Sequence, residues 1–315
     1  MALPPGVGGG PLDIESALPP AVPVGRDSTA GVAVMAHLRR QTAALLQAYA
    51  QLGDEGTDAI HASRVAARRL RSGLRVYGDL LRDDVAAHLR PELARYAGVL
   101  SPARDLEVFA QALERSTEDV HGFGDALLPW LRRRQGLAQR ATAAELATPR
   151  ARVLHTNLLE LARSPRFTDT AGRKAWKVLA PRVLRADDRA ASMLERLDPG
   201  DPADQWHTAR IAAKRARYAA EVGAPALGRP CEDLARMWSL LTEPLGEAQD
   251  AVIQRALVLD RVDDSSMPLS AGEAFVCGVY VASTHDREVA AQSVAHEVWT
   301  ATRADHKALR RAVKG

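Results

Sequence analysis

The sequence predicts an all-α protein made of two related halves. Three observations carry this. No stretch keeps the strict apolar–polar alternation of a strand, while helical spacing recurs along the chain. One helix-prone stretch, Ile60 to Tyr77, carries its cations at helical spacing. The same stretch returns at Trp206 to Glu221, and each copy is followed at a matched distance by a second echo.

Wound at about 100° per residue, Ile60 to Tyr77 gathers His61, Arg64, Arg68, Arg71 and Arg75 within roughly 80° of arc. Ile60, Ala67, Leu70, Leu74, Tyr77 and Leu81 fall on an adjoining arc and form the face to be buried. Like charges three and four residues apart repel, so an acid-free row of this kind calls for an external countercharge. In the second copy His207 matches His61, Arg210 matches Arg64, Lys214 matches Arg68, Arg215 matches Arg69 and Arg217 matches Arg71. Glu221 stands opposite Arg75 and is the one reversal. Downstream, Leu100-Ser-Pro-Ala-Arg-Asp105 echoes Leu245-Gly-Glu-Ala-Gln-Asp250, with His-to-Asp separations of 44 and 43 residues. Two matched blocks at matched spacing point to an internal duplication.

Taken in order, residues 1–29 are expected to be a disordered Pro/Gly-rich tail, with six Pro and five Gly before residue 28. A first half, 30–163, opens on a helix over Ala30–Leu52 that Asp27-Ser28-Thr29 can cap. A turn at Gly53–Gly56 leads into the cationic helix, which is expected to reach about Arg82. Short helices are expected near 84–99 and 102–116, a break at Val120–Phe123, then helices over Gly124–Ala147 and Ala151–Ala162. Ser164-Pro165 to Gly172 is the expected boundary, and 164–315 the second half. There a helix over Arg173–Leu197 ends at Asp198-Pro-Gly-Asp-Pro202, and the second cationic helix runs to about Val222. Cys231–Leu259 is helical except near Pro244, Asp263–Ser270 is a loop, and Ala271–Val313 reads as a helical pair.

With 46% apolar residues and 315 positions the chain can bury a large core. Net charge is only +3, so its basic character is local, not global. Of 42 basic residues only 5 are Lys; Arg suits bidentate phosphate contacts, although a GC-rich genome gives the same bias. Cys231 and Cys277 lie far apart, which fits a reducing cytoplasm. No apolar run is long enough to span a bilayer, and the N-terminal stretch lacks a basic n-region, so neither a membrane partner nor a secretory signal is expected.

The doubled H-x-x-R-[VI]-A-x-[RK]-R-x-R element with its later L-x-x-x-[RQ]-D resembles the CHAD domain, the conserved histidine α-helical domain, over roughly 30–313. The resemblance implies two pseudo-symmetric four-helix bundles around a central basic pore. It also implies binding of inorganic polyphosphate and association with polyphosphate granules. By position it puts His61, Arg64, Arg68, Arg69, Arg71, His207, Arg210, Lys214, Arg215 and Arg217 on or near the pore. Arg75 extends the first stripe, Arg104 lies in the first L-x-x-x-[RQ]-D element, and Arg40, Arg133, Lys174 and Lys177 are expected to widen the phosphate-binding surface. Gln249, the uncharged counterpart of Arg104, and Glu221 depart from an all-basic pattern. Some members of this family carry a fused triphosphate-tunnel domain; residues 1–29 are too few to hold one, so that hydrolase activity is not expected.

No metal and no cofactor are expected, because no H-x-x-x-H, H-E-x-x-H or C-x-x-C occurs and an Arg row repels a cation. Asp105 and Asp250 read as structural carboxylates that cap helices or pair with stripe Arg. Nucleic acid is the alternative polyanion, disfavoured by 4% aromatic content and by the absence of a helix-turn-helix or zinc-finger signature. A phosphatase or phosphotransferase is the other alternative; it lacks a Gly-rich phosphate loop, a carboxylate cluster and an evident nucleophile, so no catalytic residue is assigned. The sequence fixes no oligomeric state.

Overall fold

The computed structural model describes residues 18–51, 56–116 and 123–314. Among them the chain is all-α, with no strand beyond two isolated bridges. Ten helices follow one another: α1 Ala30–Gln51, α2 Gly56–Tyr77, α3 Val85–Ser116, α4 Phe123–Leu146, α5 Pro149–Arg163, α6 Ala175–Leu194, α7 Ala203–Leu227, α8 Arg229–Thr242, α9 Pro244–Val262 and α10 Ala271–Lys314. Short 3₁₀ turns occupy Gly78–Leu80 and Asp169–Gly172.

Local chemistry sets several ends. Thr148 caps α5, its hydroxyl accepting from Ala151 N at 3.3 Å, and Pro149 follows at the first helical position. Gly228, at φ +75°, turns the chain from α7 into α8 with no other residue between them, a backbone that a Cβ would strain.

Three apolar cores hold the helices. The first joins α1, α2, the N-terminal half of α3 and α5, around Leu38, Leu70, Leu74, Tyr77, Leu93 and Leu158. The second joins α6, α7, α8 and the C-terminal half of α10, around Val183, Trp206, Leu234, Trp238 and Trp299. The third joins the C-terminal half of α3, α4, α9 and the N-terminal half of α10, around Phe109, Leu127, Trp130, Val258 and Tyr280. The cationic helices α2 and α7 pack against each other between the first two cores. Tyr77 Oη donates to the Ala219 carbonyl at 2.7 Å across that contact. The segments that lead into α1 and α6 bond reciprocally, Ala30 N to Arg173 O at 2.9 Å and Ala175 N to Ser28 O at 2.8 Å.

Two expectations are corrected. The short helices expected near 84–99 and 102–116 are one helix, α3, which runs through Pro91 and Pro102. Leu93, Leu100 and Ala103 on the first core and Leu106, Phe109 and Leu113 on the third anchor both sides of Pro102, and this burial outweighs the lost hydrogen bond. The expected pair over 271–313 is the single helix α10, 44 residues and about 66 Å long. Cys277 and Tyr280 bind it to the third core and Ala295 and Trp299 to the second, and the residues it buries between them, Thr284, Glu288 and Gln292, keep the same spacing.

Of the expected tail, residues 1–17 lie outside the described residues, as do most of the turn 53–56 and of the break 120–123. Residues 18–29 run along the fold: Leu18 and Val24 pack on the first core, Arg26 lies over the Trp176 ring and Lys174 Nζ donates to Asp27 at 2.7 Å.

Candidate anion-binding site

The site begins with how closely α2 and α7 approach. Ala66 and Ala67 on α2, and Ala209, Ala212, Ala213 and Ala216 on α7, are all buried. α2 packs directly on α7, with α3 and α9 in contact beside them, and this packing brings the two cationic stripes together.

An inner cluster results. Arg64 and Arg68 from α2 meet Arg210 and Lys214 from α7, with Asp105 from α3 and Asp250 from α9 among them. Arg64 Nη1 donates to Ser101 Oγ at 3.2 Å and reaches Asp105 Oδ1 at 3.4 Å. Burial, joined by Arg210, Arg68 and Arg64, pulls the Lys214 ammonium down to about 7. Burial likewise lowers the Arg64 and Arg210 guanidiniums, against the opposing pull of Asp105 and Asp250. Both carboxyls sit above their usual range, because burial outweighs the cations beside them, joined at Asp105 by the charge of Asp250. The Arg64–Asp105 pair is therefore a weak one, stretched and half-desolvated. The Nε atoms of Arg64, Arg68 and Arg210 are buried without an acceptor.

An outer cluster continues from it. Arg71 and Arg75 on α2 and Arg215 on α7 meet Arg90 from α3 and Arg189 from α6. Burial and the surrounding guanidiniums lower both Arg71 and Arg215, and no carboxylate counters them. Arg68 acts on both clusters and joins them.

The other expected binding residues divide. His61 lies beside Arg104, Arg64 and Arg68, and burial together with those cations lowers its pKa, which favours the neutral ring. Arg104 reaches Glu107 at 2.9 Å on its own helix. His207 Nδ1 donates to Gln249 Oε1, so the uncharged member of the second element holds the second histidine. Arg69 and Arg217 turn away from the clusters to Glu221, at 3.6 and 2.8 Å, and their guanidiniums flank the Tyr218 ring at 5.7 and 5.9 Å. Arg40 lies beside the buried His37, which burial holds down near 3. Arg133 is remote, in a cleft with Trp130 and Asp264. Lys174 pairs with Asp27 and Lys177 lies over Trp176, at 5.1 Å. Sequence reasoning missed Arg90 and Arg189, which stand outside both repeated blocks, so no local pattern marks them. Among the described residues no group of three or more His, Cys, Asp or Glu could hold a metal ion, and no helix is long and apolar enough to cross a membrane.

A family model covers most of the chain that carries these clusters. The CHAD domain profile matches residues 36–259, well over half of the chain. The chain belongs to the CHAD domain family. Among solved structures it is similar to PptA from Streptomyces chartreusis, at 23% identity and a TM-score of 0.72, covering 87% of this chain and 100% of that one. It is also similar to the crystal structure of the CHAD domain from the plant Ricinus communis, at 20% identity and a TM-score of 0.68, covering 93% and 94%. No curated protein matches the chain. At these identities the two likenesses speak for the CHAD fold alone.

Proposed function

We propose that this CHAD protein binds inorganic polyphosphate along one basic channel lined by the two stripes, and that this binding targets it to polyphosphate granules in the cytoplasm. The observation that carries the reading is the convergence of Arg64, Arg68, Arg210 and Lys214, with Asp105 and Asp250 as the carboxylates acting on them among the described residues. Membership of the family supports it. Polyphosphate is a flexible chain of closely spaced charges without bases, so it needs a continuous row of cations and no groove-reading geometry. Guanidinium forks take phosphate oxygens in pairs, and the buried, acceptor-less Nε atoms add to the demand for such oxygens. Nucleic acid fits less well: Tyr218, the aromatic nearest the stripes, is held between Arg69 and Arg217 and is 8% exposed, so it offers no face for stacking. We read the role as binding and not turnover; sustained phosphate release from polyphosphate with added divalent metal overturns that part.

The direct test is competition among long polyphosphate, triphosphate and duplex DNA at equal phosphate concentration and near-physiological salt. Long polyphosphate is expected to win clearly, with log affinity falling linearly with log salt. Equal competition by DNA moves the assignment to nucleic acid.

Lys214 makes binding pH-dependent. Its ammonium titrates at about 7 in the free protein, and a bound polyanion raises that value, so binding takes up a proton. Affinity should therefore fall as pH rises through and above about 7. Lys214→Arg, charged throughout, should flatten the profile. Titration calorimetry across this range checks both; equal slopes for parent and variant remove Lys214 from the phosphate path.

A further inference from the structure

The outer cluster differs from the inner one in a way that neither stripe predicts. Its five guanidiniums come from four helices: Arg71 and Arg75 from α2, Arg90 from α3, Arg189 from α6 and Arg215 from α7. In the inner cluster Asp105 and Asp250 offset part of the positive charge, whereas the charges acting on Arg71 and on Arg215 are all cationic. None of the five takes part in an ion pair among the described residues. Arg71, Arg75 and Arg189 are exposed, and Arg90 and Arg215 are half-buried, so the cluster opens to solvent.

Resting on the polyphosphate reading, we propose that Arg71, Arg75, Arg90, Arg189 and Arg215 form a second phosphate subsite that captures the incoming polyphosphate chain before the inner cluster takes it up. The argument is electrostatic. A diffusing polyanion is steered by uncompensated charge at the surface, and here Arg71 and Arg215 are acted on by cations alone while none of the five guanidiniums is ion-paired among the described residues. Moving inward, the chain meets cations that Asp105 and Asp250 already partly satisfy, so inner binding displaces existing attractions. Arg68 links the two clusters, so a landed chain can extend inward without letting go. From Arg64 to Arg75 the helix rises about 16 Å. A long chain can span both subsites at once. A short one such as triphosphate settles in the outer subsite, where the charges acting on Arg71 and Arg215 are all cationic.

Arg90→Gln with Arg189→Gln tests this, because both residues lie outside the stripes. Rim charges govern association more than dissociation. In stopped-flow binding of long polyphosphate the double variant should associate about tenfold more slowly and dissociate at nearly the parental rate. Its salt slope should shrink by roughly 2, one unit for each lost phosphate contact. Triphosphate should lose most of its affinity in this variant and keep most of it in Arg64→Gln with Lys214→Gln, whose own defect with long chains should lie in faster dissociation. Circular dichroism and the thermal midpoint confirm that both variants are folded. Parental association and salt slope in the Arg90/Arg189 variant overturn the subsite and leave the polyphosphate reading standing. A parent protein that binds no long polyphosphate overturns both.

Discussion

Arg64→Glu with Arg68→Glu is expected to abolish most polyphosphate binding, and Arg210→Glu with Lys214→Glu is expected to do the same. The two pairs sit on different helices, α2 and α7, yet act on one another in the inner cluster. A hydrogen bond to a charged group contributes about 1.5–3 kcal/mol. Losing two of them weakens affinity by at least about a hundredfold, and reversing the charges adds repulsion. The fold should survive, since Ala66, Ala67 and Leu70 on α2 and Ala212 and Ala213 on α7 keep their packing. One side effect needs its own control: Arg64→Glu puts a carboxylate beside Asp105, which Arg64 now reaches at 3.4 Å. Arg64→Gln with Arg68→Gln avoids that clash and should still bind at least about tenfold more weakly. If either helix's reversed pair binds like the parent while remaining helical, that helix does not line the phosphate path.

The fold class was legible because helical spacing repeats along nearly the whole chain, and the inner cluster was legible because it is written twice. A single Arg stripe reads as a solvated face; its recurrence with His207, Arg210 and Lys214 at the same offsets is what marked these positions out. Glu221 is the one reversal in the second stripe. In the structure it draws Arg69 and Arg217 out of the cluster, and its position four residues after Arg217 is the local sign of that pairing. The continuity of α3 across Pro102 and of α10 across its whole length was not legible, because both are decided by contacts with two separate cores. Arg90 and Arg189 were not legible for the same kind of reason: each acquires its cationic neighbours only through tertiary packing. Asp187 is a further case. Its setting, Arg-Ala-Asp-Asp-Arg, reads as a solvated charge run, yet the residue is fully buried. It accepts from Trp238 Nε1 at 2.8 Å and His306 Nε2 at 2.9 Å, with Arg310 Nε at 3.1 Å, and so ties α6 to α8 and α10.

Polyphosphate should raise the thermal midpoint of the parent markedly, and Arg68→Gln with Lys214→Gln should raise the midpoint of the free protein while shrinking that shift. The free protein holds Arg64, Arg68, Arg210 and Lys214 together under partial burial, with Asp105 and Asp250 as incomplete countercharge. Folding lowers the Lys214 pKa from 10.5 to about 7. Its charged form therefore opposes folding fully below about pH 7, and this penalty fades as pH rises toward 10.5. Replacing it with Gln should thus help most at or below neutral pH and hardly at all in strong alkali. A polyanion that binds only the folded state at a hundredfold excess over its dissociation constant adds about 2.7 kcal/mol. For a chain of 315 residues that is a shift of roughly 4 °C. Orthophosphate at the same phosphate concentration should shift the midpoint far less, because linked phosphates engage many cations after one association event. In the Gln variant the polyphosphate shift should fall below about half of the parental value, since two of the four central cations are gone. Differential scanning fluorimetry at low salt reads all of these midpoints. A Gln variant that is less stable when free, and that still shows the full shift, makes Arg68 and Lys214 structural partners of Asp105 and Asp250 and places the phosphate path elsewhere on the molecule.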